Sequence, residues 1–361
     1  METKKKILTV IGARPQFIKA AALSRAIKTH PKIKEVIVHT GQHYDENMSE
    51  VFFREMDIPE PAYNLAIQAS LQGEMTGRMI EGVEKIILKE KPNALLVYGD
   101  TNSTVAGALA AAKLHVDIIH VEAGLRSFNM KMPEEINRIL TDRISDLLCC
   151  PTPNAVRNLE REGFDRFSCT YLNTGDVMQD AALFYSLLLD EKSTILSEMK
   201  LDKFILCTLH RAENTNDTKR LSNIIQALNA LHSGIRVLLP LHPRTKKTVE
   251  ALGLPLKMDF IPPVGYFDMI ALLKHCSLVL TDSGGLQKEA YFFSKPCVTL
   301  RDETEWTELI DLGCNRLAGA DPVAIQSSVY EMLNQKFNFE TELFGGGKAS
   351  HNILSAIEKY L

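Results

Sequence analysis

The sequence lacks the features that mark membrane proteins, nucleic-acid-binding proteins and secreted proteins. Its apolar runs stay well short of the roughly 18 uncharged residues that a transmembrane helix requires. The 41 Lys and Arg residues are outnumbered by 45 Asp and Glu residues, and the net charge is −4, so no positive excess is present to attract nucleic acid or anionic lipid. The N-terminal segment shows no long apolar region followed by a cleavage site, so a secretory signal is not expected.

Cysteine patterns typical of disulfides or metal sites are also absent. The seven cysteines are an odd number, and no two of them form a C-x-x-C pair. Most lie within apolar runs, as Cys149, Cys150 and Cys207 do. We therefore expect small buried side chains in a protein of the reducing cytoplasm.

The fingerprints of common cofactors are missing as well. No G-x-G-x-x-G occurs, which argues against an ordinary nicotinamide-dependent dehydrogenase. A Gly-Lys pair ending at Lys348 resembles the end of a Walker A loop, but that loop would need glycine and serine or threonine where the chain has Glu342 and Ala349. No H-E-x-x-H motif or Cys/His cluster is present. The sequence therefore predicts neither a nicotinamide cofactor nor a metal.

The chain does contain a regular alternation of short apolar runs with helical segments. Its 361 residues, 45% of them hydrophobic, suffice for two domains. Short runs that are apolar throughout are typical of parallel strands buried on both faces, and their alternation with helices indicates doubly wound α/β sheets. The runs lie at 7–11, 36–39, 94–98, 118–121, 147–150, 204–208, 236–241, 278–281 and 297–300.

This alternation is interrupted beyond residue 170, which sets the expected domain boundary near residue 172. One helix with a weak point in its middle is predicted over 177–199. The predicted domains are residues 1–172 and 173–348, and the amphipathic segment 349–361 is expected to fold back as a helix on the first domain. Two Rossmann-like domains facing each other would leave a cleft, with a ligand at the carboxyl ends of the strands.

Charged side chains directly follow the early strands. Arg14 and Lys19 lie at the start of a helix, where free amides and two cations suit an anionic group, although a solvated basic pair is the alternative. Asp100 follows the strand 94–98 and leads into a helix of small residues, so it is either an acid–base group or simply the N-cap of that helix.

Three more charged residues follow the next strand. Glu122 comes directly after 118–121, where a carboxylate is seldom needed for packing because an unpaired buried charge is costly. Glu134 and Arg138 are spaced i,i+4 on one helix face, which is also the spacing of a surface ion pair. Three carboxylates at successive strand-to-helix junctions favour an acid–base cluster around a substrate carbon.

The second half of the chain offers residues suited to a diphosphate. His210 and His242 each follow a predicted strand and have an arginine close by, and each could instead be a core or capping histidine. No accompanying carboxylates or cysteines suggest that either one binds a metal.

A strand-to-helix junction further along resembles a phosphate cradle. Ser283, Gly284 and Gly285 occupy it, and glycines there let the backbone approach an anion at which the helix amides point. Glu289 lies one turn into the helix, where its carboxylate could accept hydrogen bonds from ribose hydroxyls.

Taken in order, these motifs resemble those of the non-hydrolysing UDP-N-acetylglucosamine 2-epimerase family over essentially the whole chain. Each motif alone is modest, but their order is specific. The resemblance implies the glycosyltransferase-B fold of two Rossmann-like domains, with a last helix that crosses back to the first domain, and it implies a homodimer. The motifs are Gly12-x-Arg14-Pro15, Gly99-Asp100-Thr101, His120-Val121-Glu122-Ala123-Gly124-Leu125-Arg126, Pro133-Glu134-Glu135-x-Asn137-Arg138, His210-Arg211-x-Glu213-Asn214 and Thr281-Asp282-Ser283-Gly284-Gly285.

The resemblance also implies a reaction. In this family the sugar loses its C2 proton and UDP leaves C1 by anti elimination, and UDP re-adds to the resulting 2-acetamidoglucal after C2 is reprotonated from the other face. No metal or nicotinamide takes part, because cationic side chains and helix amides stabilise the departing diphosphate. By resemblance, the acid–base carboxylates are Asp100, Glu122 and Glu134, and the catalytic or leaving-group-stabilising residues are Lys19, Arg138 and His210. The resemblance also implies that the diphosphate is contacted by Arg14, Ser283, Gly284 and Gly285. It implies that Glu289 binds the ribose and that His242 belongs to the UDP site.

The chain departs from the common form of the family at Gln42-His43-Tyr44, where that form has Gln-His-Arg in its regulatory region, and in two further places. Only residues 127–132 separate Gly-Leu-Arg from Pro-Glu-Glu, and Trp306 stands where the common form has a substrate-side arginine. With the Phe-Gly-Gly-Gly segment at 344–347, these departures resemble the subgroup that converts UDP-2,3-diacetamido-2,3-dideoxy-glucuronate into its manno isomer for bacterial surface polysaccharide. An indole face suits the extra acetamido methyl group at C3, and candidate cations for the C6 carboxylate of that sugar are Arg126, Lys131 and Arg301.

Three alternatives to this substrate or activity are open from the sequence. A UDP-N-acetylglucosamine 2-epimerase that makes UDP-N-acetylmannosamine would share every motif. A UDP-sugar glycosyltransferase of the same fold would share the UDP cradle but would not need the carboxylate trio. A non-enzymatic nucleotide-sugar sensor would need neither acids nor bases at the strand ends.

Overall fold

The structure, a computed structural model, describes residues 4–42, 56, 58–339 and 342–361. The chain forms two compact units, Met1–Ala181 with Glu342–Leu361, and Ala182–Thr341. Each unit contains one parallel β-sheet with helices between the strands, so the prediction of two Rossmann-like α/β units is confirmed. Among the helices of the described residues, none combines the length and the apolar character needed to cross a membrane.

The first unit is built on seven parallel strands. They are β1 (Lys5–Ile11), β2 (Ile33–His39), β3 (Tyr63–Asn64), β4 (Ala94–Tyr98), β5 (Asp117–Val121), β6 (Leu147–Cys150) and β7 (Thr170–Asn173). Their order in the sheet is β3-β2-β1-β4-β5-β6-β7. The strand order reverses between β1 and β4, which is the place where sheets of this kind bind ligands at the carboxyl ends of their strands.

Helices of the first unit connect these strands. They are α1 (Arg14–Lys28), α2 (Gln72–Glu90), α3 (Asn102–Lys113), α4 (Pro133–Arg143), α5 (Pro153–Arg161), α6 (Val177–Ser186), which runs into the second unit, and α16 (Ala349–Tyr360). The small residues of α3 let it pack closely on the sheet, and a Cβ atom on Gly107 would lie only 3.2–3.3 Å from side-chain atoms of Val97 and Val10.

The second unit has a six-stranded parallel sheet in the order β10-β9-β8-β11-β12-β13. Its strands are β8 (Phe204–Thr208), β9 (Arg236–Pro240), β10 (Asp259–Ile261), β11 (Leu278–Thr281), β12 (Cys297–Thr299) and β13 (Asn315–Leu317). Its helices are α7 (Leu189–Lys192), α8 (Ile195–Glu198), α9 (Ala212–Thr215), α10 (Thr218–His232), α11 (Pro243–Ala251), α12 (Tyr266–His275), α13 (Gly284–Phe292), α14 (Thr307–Asp311) and α15 (Pro322–Asn334).

The region around the expected boundary differs from the sequence prediction. The single helix expected over 177–199 is three helices, α6, α7 and α8. The transition between the units lies at residues 181 and 182, inside α6, rather than near 172. The reason is a set of contacts with the C-terminal segment: the Asp176 N–H donates to the Phe344 carbonyl (2.9 Å), and the Asp180 carboxylate accepts from the N–H groups of Ala349 (3.0 Å) and Ser350 (2.7 Å). Within the first unit α16 packs on α1.

Candidate active site

Two turns at the centre of the first sheet are joined by one buried side chain, Gln16. Its Oε1 accepts hydrogen bonds from the N–H groups of Gly12 (2.8 Å) and Ala13 (3.1 Å), at the end of β1. Its Nε2 donates to the Tyr98 carbonyl (3.0 Å), at the end of β4. Only glycine fits at position 12, because a Cβ atom there would lie 2.0 Å from Oγ1 of Thr40. The two strand ends are thereby held together, with Arg14 half-buried at the first position of α1.

Asp100 is held from the side of helix α4. The N-cap of α3 is Thr101, whose side chain accepts from the Thr104 N–H, so the capping interpretation of Asp100 is wrong. The Asp100 carboxylate instead forms a short ion pair with Nη2 of Arg138, and its side chain stays 26% exposed. Nη1 of Arg138 donates to Glu135 at 2.7 Å. A half-exposed carboxylate paired with a buried guanidinium is suited to proton transfer with a bound molecule.

Glu122 forms the second pair of this unit. Its Oε1 lies 2.5 Å from Nζ of Lys19, and both side chains are 9% exposed. Glu122 has a φ of +71°, a left-handed conformation that costs a non-glycine residue about 1–3 kcal/mol and is concentrated at functional sites. The N–H groups of Glu122 and Ala123 both donate to the Cys149 carbonyl, at 3.0 and 3.1 Å, and hold the turn in this conformation.

Glu134 is placed differently from the other two carboxylates. It is exposed on the first turn of α4, and among the residues that the structure describes none pairs with its carboxylate. The i,i+4 ion pair with Arg138 is therefore not formed, because Arg138 turns inward to Glu135 and Asp100. Glu135 is 1% exposed and also accepts from the N–H groups of Ser127 (3.0 Å) and Phe128 (2.9 Å). It thus ties the short loop 127–132 to the Asp100–Arg138 pair.

His210 of the second unit is oriented by a buried aspartate. Asp282 is inaccessible to solvent, and its Oδ1 lies 3.1 Å from Nδ1 of His210. Asp282 also accepts from the N–H groups of His210 (3.1 Å) and Arg211 (2.9 Å). Burial alone would raise the pKa of Asp282, but the hydrogen bond and charge of His210 outweigh it and hold the pKa below its ordinary value. The His210 side chain is 55% exposed, so its Nε2 is presented away from Asp282.

The Ser-Gly-Gly junction has the geometry of a helix start that lets an anion approach. Ser283 is the N-cap of α13, and its Oγ accepts from the Leu286 N–H (3.4 Å). A Cβ atom on Gly284 would lie 2.1 Å from Oε1 of Glu305, whose other oxygen is bonded to Arg301. Gly285 is exposed in the first turn. Backbone amides at such a helix end, unhindered by side chains, favour phosphate oxygens.

Glu289 and Trp306 are both buried, at 8% and 2% exposure. Glu289 lies within α13, and Trp306 is the N-cap of α14. Nζ of Lys288, itself 2% exposed, lies 4.8 Å from the centre of the Trp306 ring, a cation–π arrangement. The tryptophan therefore stands next to a buried cation.

His242 takes the capping role, which is one of the two alternatives that the sequence offers for it. It is the N-cap of α11, and its Nδ1 accepts from the Arg244 N–H at 3.2 Å. Its side chain is exposed.

The three cations suggested as contacts of a C6 carboxylate differ in their burial and in whether they are bonded to acidic side chains. Arg126 is 3% exposed, and its guanidinium is already bonded to Asp142 and Glu162. Nη1 of Arg301 is bonded to Glu305, whereas Lys131 is exposed.

Sequence reasoning missed several residues that shape these sites, chiefly Gln16, Glu135 and Asp282. Gln16 lies two residues after the candidate Arg14, and Glu135 directly follows the candidate Glu134. Only the tertiary contacts show that Gln16 and Glu135 face inward. Asp282 directly precedes Ser283 and had a detectable signal, since an aspartate at the end of an apolar strand needs a partner. In the described part of the chain, no group of three or more His, Cys, Asp or Glu residues is arranged to hold a metal ion.

Comparison with known proteins identifies the family. The chain matches the profile of the family described as UDP-N-acetylglucosamine 2-epimerase over residues 25–358. It is 56% identical to a UDP-2,3-diacetamido-2,3-dideoxy-D-glucuronate 2-epimerase from Pseudomonas aeruginosa, over 98% of this chain and 99% of that protein. It is 42% identical to a UDP-N-acetylglucosamine 2-epimerase from Methanocaldococcus jannaschii, over 97% of this chain and 98% of that protein.

A solved structure agrees with this assignment. The crystal structure of the Methanocaldococcus jannaschii UDP-GlcNAc 2-epimerase in complex with UDP-GlcNAc and UDP matches with a TM-score of 0.88 and 41% identity, over 99% of each chain. The chain therefore belongs to the UDP-N-acetylglucosamine 2-epimerase family. It is an isomerase of the UDP-sugar 2-epimerase type, with the glycosyltransferase-B fold.

Proposed function

We propose that this epimerase acts on UDP-2,3-diacetamido-2,3-dideoxy-glucuronate and inverts C2 to give the manno isomer for surface polysaccharide synthesis. The observation that carries the substrate is the 56% identity, over nearly the whole of both chains, to the Pseudomonas aeruginosa protein of that name. The identity to the Methanocaldococcus jannaschii protein named for UDP-N-acetylglucosamine is lower, at 42%. UDP-N-acetylglucosamine is therefore the second candidate substrate.

The reaction we propose is an elimination followed by an addition. A carboxylate takes the C2 proton, the electron pair of the C–H bond forms the C1–C2 double bond, and the C1–O bond breaks so that UDP leaves with its electrons. The 2-acetamidoglucal is then protonated at C2 from the opposite face, and UDP adds back to C1. Two acid–base groups with separate positions are needed, because the proton leaves one face and returns to the other.

We assign those acid–base roles to the carboxylates of the first unit. Asp100 and Glu122 follow the adjacent strands β4 and β5, and each is paired with a cation, Arg138 and Lys19. The paired cations offset the cost of burying these carboxylates. Glu134, exposed at the first turn of α4, is the third candidate and is open to a bound sugar.

The residues proposed for the leaving group follow the resemblance to the family. The amides at the start of α13, reached past Gly284, and the exposed ring of His210 are suited to the diphosphate, and Arg14 adds a positive charge. Glu289 is proposed for the ribose, and His242 for the nucleotide. Removing one donor of this kind from a developing anion costs about 10²–10³-fold in kcat.

Trp306 is proposed to contribute to the choice of substrate. A guanidinium at this position would stand against the ammonium of Lys288, whereas the indole accepts that cation over its ring. An indole offers an apolar face to a second acetamido group and cannot donate to several oxygens as arginine does. One apolar group discriminates by only about 10–200-fold, so unpaired charges left by the smaller sugar must supply any further preference.

One NMR experiment tests the activity and the substrate together. Each UDP-sugar is incubated with enzyme in D2O without an acceptor, and C2 stereochemistry and deuterium content are followed. We expect deuterated manno product from both sugars, with a much higher kcat/KM for the diacetamido uronate. An equal or higher kcat/KM for UDP-N-acetylglucosamine would refute the substrate proposal only. No exchange at C2 with either sugar would refute the epimerase roles and favour a glycosyltransferase or a sensor.

We further propose that the enzyme is a cytoplasmic homodimer. All seven cysteines are free, six of them buried and Cys169 half-buried, which supports a reducing compartment. The homodimer rests on resemblance to the family, and light scattering of the purified protein tests it.

A further inference from the structure

A buried histidine lies behind the carboxylates of the first unit. His120, on β5, is inaccessible to solvent, and its Nε2 lies 2.7 Å from the carbonyl oxygen of Gly99. A carbonyl oxygen can only accept, so Nε2 carries the hydrogen of this bond. Its Nδ1 lies 2.7 Å from Oδ1 of Asp142, which is also inaccessible to solvent.

Asp142 connects this histidine to the neighbouring turn. Its Oδ2 accepts from the N–H of Gly124 (3.1 Å) and from Nη1 of Arg126 (2.6 Å). The guanidinium of Arg126 continues to Glu162, with contacts of 2.7 and 2.8 Å. The network therefore contains donors and acceptors that satisfy one another, and such networks fix a single arrangement of the backbone.

Both turns held by this network carry proposed acid–base residues and a positive φ. Gly99, with φ of +63°, directly precedes Asp100, and Glu122, with φ of +71°, lies two residues before Gly124. Asp100 is held from the other side by Asn137, whose Nδ2 donates to the Asp100 carbonyl at 2.9 Å. Conformations of this kind persist only where the surroundings enforce them.

We propose that His120 and Asp142 are positioning residues, which hold the turn of Asp100 and the turn of Glu122 in the register that proton transfer at C2 requires. Neither of them has a solvent-accessible surface, so they act through the Gly99 carbonyl and the Gly124 amide rather than on the sugar. The inference rests on the epimerase activity and on the roles proposed for Asp100 and Glu122. It does not depend on which UDP-sugar is the substrate.

Two substitutions of His120 separate its two hydrogen bonds. The amide nitrogen of an asparagine at position 120 would lie near the place of Nδ1 of the histidine, and that of a glutamine would lie near the place of Nε2. His120→Asn therefore keeps a partner for Asp142 and loses the donor to Gly99, while His120→Gln keeps the donor to Gly99. A misplacement near 1 Å costs about 10²-fold in rate, so we expect kcat to fall by about that factor in His120→Asn. In His120→Gln we expect a loss of about 10-fold, in both cases with KM little changed.

Thr141→Val is the matched control for a buried polar change beside Asp142. Thr141 is inaccessible to solvent, and within the described residues its hydroxyl has no hydrogen-bond partner. This variant should keep the kcat of the wild type. UDP affinity by calorimetry and the melting temperature are measured for each variant, because a purely structural role would lower both variants' stability without separating their kcat values.

A lower kcat in the asparagine than in the glutamine variant, at unchanged KM and UDP affinity, supports the proposal. Equal kcat values in the two folded variants, or a wild-type kcat in the asparagine variant, overturn it. If neither variant folds, Asp142→Asn, which keeps the shape of the side chain and one of its two oxygens, tests the same network, and a wild-type kcat there overturns the proposal. A wild-type enzyme inactive on both UDP-sugars would instead refute the proposed function.

Discussion

Replacing Asp282 with asparagine perturbs the second unit at one atom. The carboxylate is inaccessible to solvent and accepts from the backbone N–H groups of His210 and Arg211, from Nδ1 of His210 and from Nδ2 of Asn214, at 2.9–3.3 Å. Asparagine has nearly the same shape, but one of its two oxygens becomes a donor. The His210 N–H contacts both oxygens and keeps an acceptor either way. If the amide nitrogen takes the place of Oδ1, Nδ1 of His210 loses its acceptor, and if it takes the place of Oδ2, the Arg211 N–H and Nδ2 of Asn214 lose theirs.

The cost can be estimated from those lost bonds. A hydrogen bond to a charged group contributes about 1.5–3 kcal/mol, so the loss of one or two lowers the free energy of unfolding by about 1.5–6 kcal/mol. That is a large part of the roughly 5–15 kcal/mol by which folded proteins are stable. Activity should fall too, because His210 loses the charged acceptor that orients its ring, and removing one donor to a developing anion costs about 10²–10³-fold in kcat.

The difference in the free energy of unfolding between the wild type and Asp282→Asn should become smaller as the pH falls. The pKa of Asp282 in the folded protein lies below its ordinary value, because the interactions with His210 and the backbone amides outweigh burial. The stabilisation is therefore fully present above the unfolded pKa of about 3.9 and is lost as the pH falls through the lower folded pKa. The gap between wild type and Asp282→Asn should be constant above about pH 5 and should narrow below pH 4.

Urea unfolding at several pH values measures this gap, and the epimerase assay measures the activity. Asp302→Asn is the matched control, because Asp302 is 73% exposed and its ion pair with Arg220 (2.9 Å) is a surface pair worth about 1 kcal/mol or less. If Asp282→Asn unfolds within about 1 kcal/mol of the wild type, or if the gap widens in acid, the reasoning from the buried bonds is refuted.

The remaining predictions concern catalysis, metal dependence and the phosphate cradle. Single amide substitutions of the carboxylate trio should each lower kcat by about 10²–10⁴-fold while UDP binding by calorimetry is retained, and near-wild-type rates in all three would contradict their assignment. The three variants are Asp100→Asn, Glu122→Gln and Glu134→Gln. Dialysed enzyme should keep its activity in excess EDTA, and activity that vanishes and then returns with a divalent ion would contradict a metal-independent reaction. Gly284→Ala should lower the melting temperature, because its Cβ would lie 2.1 Å from Oε1 of Glu305, whereas Gly285→Ala, with no neighbour nearer than 4.0 Å, should not.

The accuracy of the strand prediction follows from where each strand lies in its sheet. The nine apolar runs identified in the sequence correspond to the nine central strands. The four unpredicted strands, β3, β7, β10 and β13, are the edges of the two sheets. An edge strand has one neighbour instead of two and is partly exposed, so it is short and lacks a continuous apolar run. Periodicity therefore finds the buried strands and misses the edges.

Position after a predicted strand identifies the candidate residues, but the sequence does not identify the side chains with which they form ion pairs and hydrogen bonds. Sequence spacing pairs Arg138 with Glu134, yet Arg138 binds Glu135 and Asp100. Spacing along a helix describes neighbours on that helix, whereas the partner of Arg138 depends on how α4 meets the end of β4. The motif at 281–285 contains Asp282, but the sequence does not reveal its role, since its partner His210 is distant in sequence and adjacent only across the β8–β11 pair.

Each unit uses a buried aspartate to hold a histidine at the end of its sheet, with opposite consequences. Asp142 and Asp282 both accept from a histidine Nδ1 and from the backbone of a nearby turn, Asp142 from the N–H of Gly124 and Asp282 from the N–H groups of His210 and Arg211. His120 is inaccessible to solvent, and its other nitrogen is used by a backbone carbonyl, so the pair can only fix the polypeptide. His210 is 55% exposed, and its other nitrogen points away from the aspartate, so the same kind of pair leaves this ring open to solvent. We therefore expect burial of the histidine, rather than the Asp–His pairing, to separate the positioning role proposed for His120 from the chemical role proposed for His210.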